Sequence, residues 1–220
     1  VYWGLNSHIQ GPMFKRFLEP LIRTSLSDTR VVAIAGPRQS GKSTLAKVIG
    51  GKSAAYVSLD EVLQFEAAKD DPTGFVRRTR GLTIIDEIQR VPELMLAIKL
   101  EVDERPEPGR FLITGSADFR TLPTIQDSLA GRIEVFELMP LSRDEISGKK
   151  STFLKDVFAG RRPSSVAPEL EPNELPSLVS RGGYPEALAR TGKRSFDWLR
   201  AYARAVLAQD LASVTGRDRQ

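Results

Sequence analysis

The chain has 220 residues, 40% hydrophobic and 27% charged, with a formal net charge of +4. That is ordinary globular composition, long for one compact domain and suited to one domain with a small appendage. It has no cysteine and a single histidine, His8, which excludes disulfides, a thiol nucleophile and histidine-rich metal sites, argues against histidine catalysis and accords with a reducing cytoplasm. No apolar run approaches a membrane span and no signal peptide is visible, so no membrane partner is expected. Val1 stands where an initiating Met would, and the native start is expected upstream.

In chain order, Met13 to Leu26 reads as a helix with Phe14, Phe17, Leu18, Leu21 and Ile22 along one stripe. Val31 to Ala35 is a short β-branched run, the pattern of a buried parallel strand. Gly36-Pro37-Arg38-Gln39-Ser40-Gly41-Lys42-Ser43 follows, and Thr44 to Ile49 then reads as a helix stopped by Gly50-Gly51. Ala55 to Leu59 is a second strand. Residues 61–69 and 72–79 read as two short helices broken by Asp70-Asp71-Pro72. Leu82 to Ile85 is a third strand, ending in Asp86-Glu87; Pro92 opens a helix over 93–104. Arg110 to Thr114 and Ile133 to Leu138 are further strands, with a partial helix over 119–129 between them. Residues 161–173, with Pro163, Pro168 and Pro172, read as a linker, and helices follow over 174–181, 184–190 and 193–214. Alternating strands and helices imply an α/β fold with a largely parallel sheet. The expected organisation is a core over 1–160, a linker over 161–173 and a helical region over 174–220.

The run from Gly36 to Ser43 fits the phosphate-loop pattern G-x-x-x-x-G-K-[ST], between a strand and a helix as that loop requires. Gly36 and Gly41 permit backbone angles and close approach that a side chain would block. The amides over Gly36, Pro37, Arg38, Gln39, Ser40, Gly41, Lys42, Ser43 and Thr44, with the helix N-terminus, would face a polyphosphate. Lys42 would reach the β- and γ-phosphates, and the Ser43 hydroxyl would ligate Mg²⁺. The apolar strand ending in Asp86-Glu87 has the form of a Walker B element. Asp86 would hold Mg²⁺, directly or through a water, and Glu87 would polarise the attacking water. Its position after one intervening strand suits a strand neighbouring the loop strand. Thr114, closing the fourth strand, would touch the γ-phosphate or the attacking water. Arg132 would stabilise transition-state charge as an arginine finger or a sensor.

These segments, read together, resemble a family. The run from Gly36 to Leu45, then Ile85-Asp86-Glu87-Ile88-Gln89-Arg90-Val91-Pro92-Glu93-Leu94, Thr114-Gly115-Ser116, Leu129-Ala130-Gly131-Arg132, Pro140-Leu141-Ser142 and Gly182-Gly183-Tyr184-Pro185-Glu186 resemble the motifs of uncharacterised bacterial and archaeal AAA-type ATPases. The resemblance spans about residues 13–210. It implies an AAA-like P-loop NTPase with a small helical lid after the sheet, ATP as nucleotide and Mg²⁺ as its metal. It also implies a sensor role for Thr114, and it makes Arg132 a motif residue; Arg181 is a weaker candidate for a lid arginine. Members usually continue into a C-terminal domain of unknown function. This chain stops at Gln220, just where Ala208 to Leu211 resembles the start of that domain, and it is expected to be a fragment or a short form.

The function expected is Mg-dependent ATP binding and hydrolysis, slow without a partner protein or further copies of the chain. The alternative is an ATP-gated switch that binds protein or DNA with little hydrolysis. Residues 190–220 motivate the DNA version: seven arginines and lysines face three aspartates there, which accounts for the whole net charge. A P-loop kinase is a third reading, which the acid pair and the Thr114 edge disfavour; no N-K-x-D base-reading motif suggests a GTPase.

Overall fold

Every residue of β1 (Val31–Ala35) is buried, because this strand is covered on both faces. Side chains alternate across a strand, so Val31, Ala33 and Ala35 enter one apolar layer while Val32 and Ile34 enter the other. A computed structural model describes residues 14–116, 129–149, 152–162 and 174–215. Most of the helix expected over 119–129 and of the linker expected over 161–173 lies outside them. The described residues form two compact units, Lys15–Pro140 and the residues from Leu141 onward.

The first unit runs α1 (Leu18–Ser25), β1, α2 (Lys42–Gly50), β2 (Ala55–Ser58), α3 (Val62–Asp70), α4 (Pro72–Arg77) and β3 (Thr83–Asp86). A 3-10 turn (Ile88–Arg90), α5 (Leu94–Glu104), β4 (Phe111–Gly115) and β5 (Ile133–Glu137) complete it. The strands form one five-stranded sheet in the order β2-β3-β4-β1-β5. All its pairings are parallel. One apolar layer holds Leu94, Met95, Ile98 and Val102 of α5 with Phe75 and Val76 of α4. The other holds Leu45, Ala46 and Ile49 of α2 with Ile22 of α1. Two apolar faces under helices are what a parallel α/β sheet requires.

One expectation is corrected. β3, the strand ending in Asp86-Glu87, does not neighbour β1; β4 lies between them. Chain order cannot reveal this, because a later strand can insert between two earlier ones. The consequence is chemical: the end of β4, with Thr114, stands between the loop and Asp86.

The first helix begins at Leu18, five residues later than expected. Arg16, just ahead of it, instead turns its guanidinium to the main chain at Ser40 and Met139.

The second unit contains α6 (Arg143–Ser147), α7 (Phe153–Phe158), α8 (Glu174–Arg181), α9 (Pro185–Leu188) and α10 (Lys193–Thr215). α6 and α7 were not expected, yet Ser142 and Glu145 form a capping box at the start of α6. The Leu141 amide donates to the Gly183 carbonyl at 2.8 Å. A Cβ on Gly183 would lie 2.2 Å from the Leu141 carbonyl oxygen, so only glycine fits that approach. The Tyr184 ring packs 4.8 Å from Tyr202, which stacks on Trp198 at 5.3 Å, joining α9 to α10. No helix among the described residues is long and apolar enough to cross a membrane.

Candidate nucleotide site

The loop after β1 is built by backbone conformation. Gly36 has φ 155°, Gln39 has φ 60° and Gly41 has φ 97°. A Cβ on Gly36 would lie 2.3 Å from the Leu138 carbonyl oxygen, so a glycine lets the loop leave the sheet against the end of β5. Gly41 caps α2 from the left-handed region, where a side chain is strained. Pro37 is half-buried, Arg38, Gln39 and Thr44 are exposed, and Ser40 is fully buried.

Lys42 opens α2 and is buried. Its Nζ donates to the carbonyls of Gly36 at 3.0 Å and Pro37 at 2.9 Å, folding the side chain back along the loop. Burial lowers its pKa below the ordinary 10.5, while the Glu87 and Asp86 carboxylates pull it upward.

Asp86 collects the site. The Ser43 hydroxyl donates to its Oδ1 at 2.9 Å, the Thr114 hydroxyl donates to the same oxygen, and the Tyr56 hydroxyl donates to Oδ2 at 2.8 Å. Burial, with the Asp86 carboxylate second, raises the Tyr56 phenol pKa far above 10.0, so it stays a donor. Glu87 follows at φ 61°, and its amide donates to the Thr114 hydroxyl at 3.2 Å. Its carboxylate accepts from the Gln89 amide, whose own carbonyl accepts from the Ser116 amide at 3.4 Å.

Lys42, Ser43, Asp86, Glu87 and Thr114 therefore meet at the carboxyl end of the parallel strands, where open α/β sheets hold ligands. Arg132 does not join them. It precedes β5, whose first residue pairs with Val31 at the amino end of β1. Five strand residues at about 3.3 Å each separate it from the loop, about 16 Å. There it donates to both oxygens of Asp103, Nη2 to Oδ2 at 3.0 Å. This placement sets Arg132 apart from the cluster formed by the other expected site residues. Arg181, in the second unit, donates to the Leu188 carbonyl at 3.0 Å.

Sequence reasoning missed Tyr56, Gln89 and Arg16 as parts of the site. Gln89 stands in a motif already singled out, so its position was a usable signal. Tyr56 and Arg16 reach the site only through folding.

A hydroxyl and a carboxylate 2.9 Å apart are hard oxygen donors that fit Mg²⁺, which takes one or two protein ligands and completes its octahedron with water and phosphate. Among the described residues no cluster of three or more His, Cys, Asp or Glu could form an all-protein metal cage.

The model of a family described as AAA domain matches residues 28–147. The uncharacterised proteins Mb2031c of Mycobacterium bovis and Rv2008c of Mycobacterium tuberculosis are each 34% identical over 195 residues, 88% of this chain and 38% of theirs. The chain thus spans well under half the length of these relatives. A cytidylate kinase of Streptococcus suis is 29% identical over 115 residues, 52% of this chain and 48% of that protein. The solved structure of the Walker-type ATPase paby2304 of Pyrococcus abyssi superimposes with a TM-score of 0.53 at 15% identity, over 93% of this chain and 76% of that one. That likeness is one of fold. The chain belongs to the AAA domain family and has the P-loop ATPase fold.

Proposed function

We propose that this AAA domain protein binds Mg-ATP and hydrolyses it at the β–γ bond. The observation that supports this best is the convergence of Ser43, Thr114 and Asp86, three residues from separate segments whose oxygens share one hydrogen-bonded cluster. In this reading the amides from Gly36 to Thr44 and the start of α2 hold the phosphates. Lys42 leaves its loop carbonyls for the β- and γ-phosphates. Ser43 and Asp86 hold Mg²⁺, which when bound neutralises charge on the phosphate oxygens. Glu87 takes a proton from water as its oxygen attacks the γ-phosphorus and the bond to the ADP oxygen breaks. Thr114 positions the water or the γ-phosphate while tying Asp86 to the Glu87 amide. Arg132 enters only if it reaches the nucleotide of another copy of the chain. Turnover is slow until a partner or further copies complete the site.

The second reading is an ATP-gated switch. What favours it is the exposed face of α10, where Lys193, Arg200 and Arg204 share a stripe with Phe196, itself half exposed beneath the Arg200 guanidinium. Such a face suits an acidic partner or a nucleic-acid backbone.

The test is Mg-dependent phosphate release from ATP by the chain and by Glu87→Gln, with and without CMP as acceptor. The proposal expects release to water, reduced about 10²- to 10⁴-fold by the substitution. Transfer to CMP would make the chain a kinase, as the name of the streptococcal relative suggests. Tight ATP binding without cleavage would favour the switch.

A further inference from the structure

Arg16 lies ahead of α1 and outside the residues matched by the AAA domain model. It is 8% exposed. Its Nη1 donates to the Ser40 carbonyl at 2.8 Å, and its Nη2 donates to the Met139 carbonyl at 2.5 Å. One guanidinium thus bridges the phosphate loop to the main chain just beyond β5. A Cβ on Gly41 would sit 3.6 Å from Nη1, so the contact runs along the loop into the residue that caps α2.

The peptide from Ser40 to Gly41 is the consequential one. A trans peptide is planar, and its N–H points opposite to its C=O. Holding the Ser40 carbonyl therefore sets the direction of the Gly41 N–H, away from Arg16. Glycine at Gly41 is required by its φ of 97°, but glycine also leaves that peptide freer to rotate than any other residue would. The planar two-pronged guanidinium suits two fixed acceptors, which a lysine ammonium cannot match in the same geometry.

We propose that Arg16 is a positioning residue for phosphate binding: by clamping the Ser40 carbonyl to Met139, it holds the Gly41 amide in the orientation that receives the β-phosphate of a nucleoside di- or triphosphate. This rests on the Mg-ATP reading above. It adds a requirement for a residue that precedes the matched domain.

The experiment compares the chain with Arg16→Lys and Arg16→Gln, by calorimetric titration with Mg-ADP and Mg-ATP and by amide hydrogen exchange. Loss of the charged bridge should weaken both nucleotides by the same factor, about tenfold, since both carry the β-phosphate. Exchange should quicken over 40–43 and stay unchanged in β1 and β4. The lysine variant keeps the charge, so weak binding there assigns the effect to the bridge; it also carries the test if the glutamine variant does not fold. Unaltered affinity and unaltered exchange over 40–43 would overturn the proposal. So would exchange that quickens evenly through the unit, the mark of a merely structural role. If the unsubstituted chain binds neither nucleotide, the ATP reading fails, and exchange over 40–43 in Arg16→Lys still decides whether the clamp exists.

Discussion

Gly36→Ala is expected to damage the protein more than any other single methyl added to the loop. The new Cβ would lie 2.3 Å from the Leu138 carbonyl oxygen and 3.1 Å from its carbon. Both atoms are main chain, so no rotamer change relieves the contact. The Leu138 amide donates to the Ala35 carbonyl at 2.7 Å, and moving the strand end by about 1 Å would weaken that bond, at about 1 kcal/mol. Overpacking adds about 1–3 kcal/mol. An alanine held at φ 155° adds about 1–3 kcal/mol. The total is about 3–7 kcal/mol, or a fall in Tm of roughly 6–28 °C for a chain of this size. Gly41→Ala is the control, since its Cβ meets only the Arg16 guanidinium at an ordinary 3.6 Å and backbone strain alone costs about 1–3 kcal/mol. Thermal unfolding by circular dichroism reads both. A Gly36→Ala protein melting within about 2 °C of the parent, or above Gly41→Ala, would refute the steric argument.

Gln89→Glu removes the amide donor that holds the Glu87 carboxylate and puts a second negative charge beside it. The expected outcome in steady-state kinetics is a fall in kcat of about tenfold or more with KM for ATP unchanged; an unaltered kcat would refute it. Nucleotide affinity should also depend on Lys42. Only its protonated form attracts phosphate, and burial lowers its pKa below 10.5, so Mg-ADP binding should weaken as pH rises, beginning before pH 10.5. Affinity flat up to that pH would count against the role. Arg132→Ala should leave turnover of the dilute chain within about twofold, because an exposed ion pair with Asp103 contributes little. A loss of tenfold or more would show that the site is completed by another copy.

The strands were legible to within a residue or two; β1, β3 and β4 are buried throughout and read as short, mostly apolar runs. Asp71 and Pro72 likewise announced the break before α4, where the Asp71 side chain accepts from the Gly74 amide. α6 was missed although Ser142 and Glu145 spelled a capping box, because a helix of five residues shows no periodicity. The pairing of Ser43 with Asp86 was legible in kind: each motif states the chemistry of its own residue. Tyr56 was not, because nothing about a tyrosine in a short strand says which carboxylate its hydroxyl will meet. Arg132 was legible as a motif residue but not in its placement. Its motif marks it as special, but the strand it precedes runs parallel to β1, which puts it at the sheet end away from the loop.

What the sequence by itself determined is therefore local: the glycines that allow the loop its backbone angles, the lysine and hydroxyl at the start of α2, and the acid pair at the end of an apolar strand. These follow from steric and periodic rules that act over a few residues. Only the tertiary structure decided the insertion of β4 between β1 and β3, the meeting of Tyr56 and Thr114 on Asp86, and the bridge from Arg16 to the loop. Each of those depends on which strands pair and which faces are covered. Those choices are settled by burial of the whole apolar surface, and no short stretch of chain encodes them.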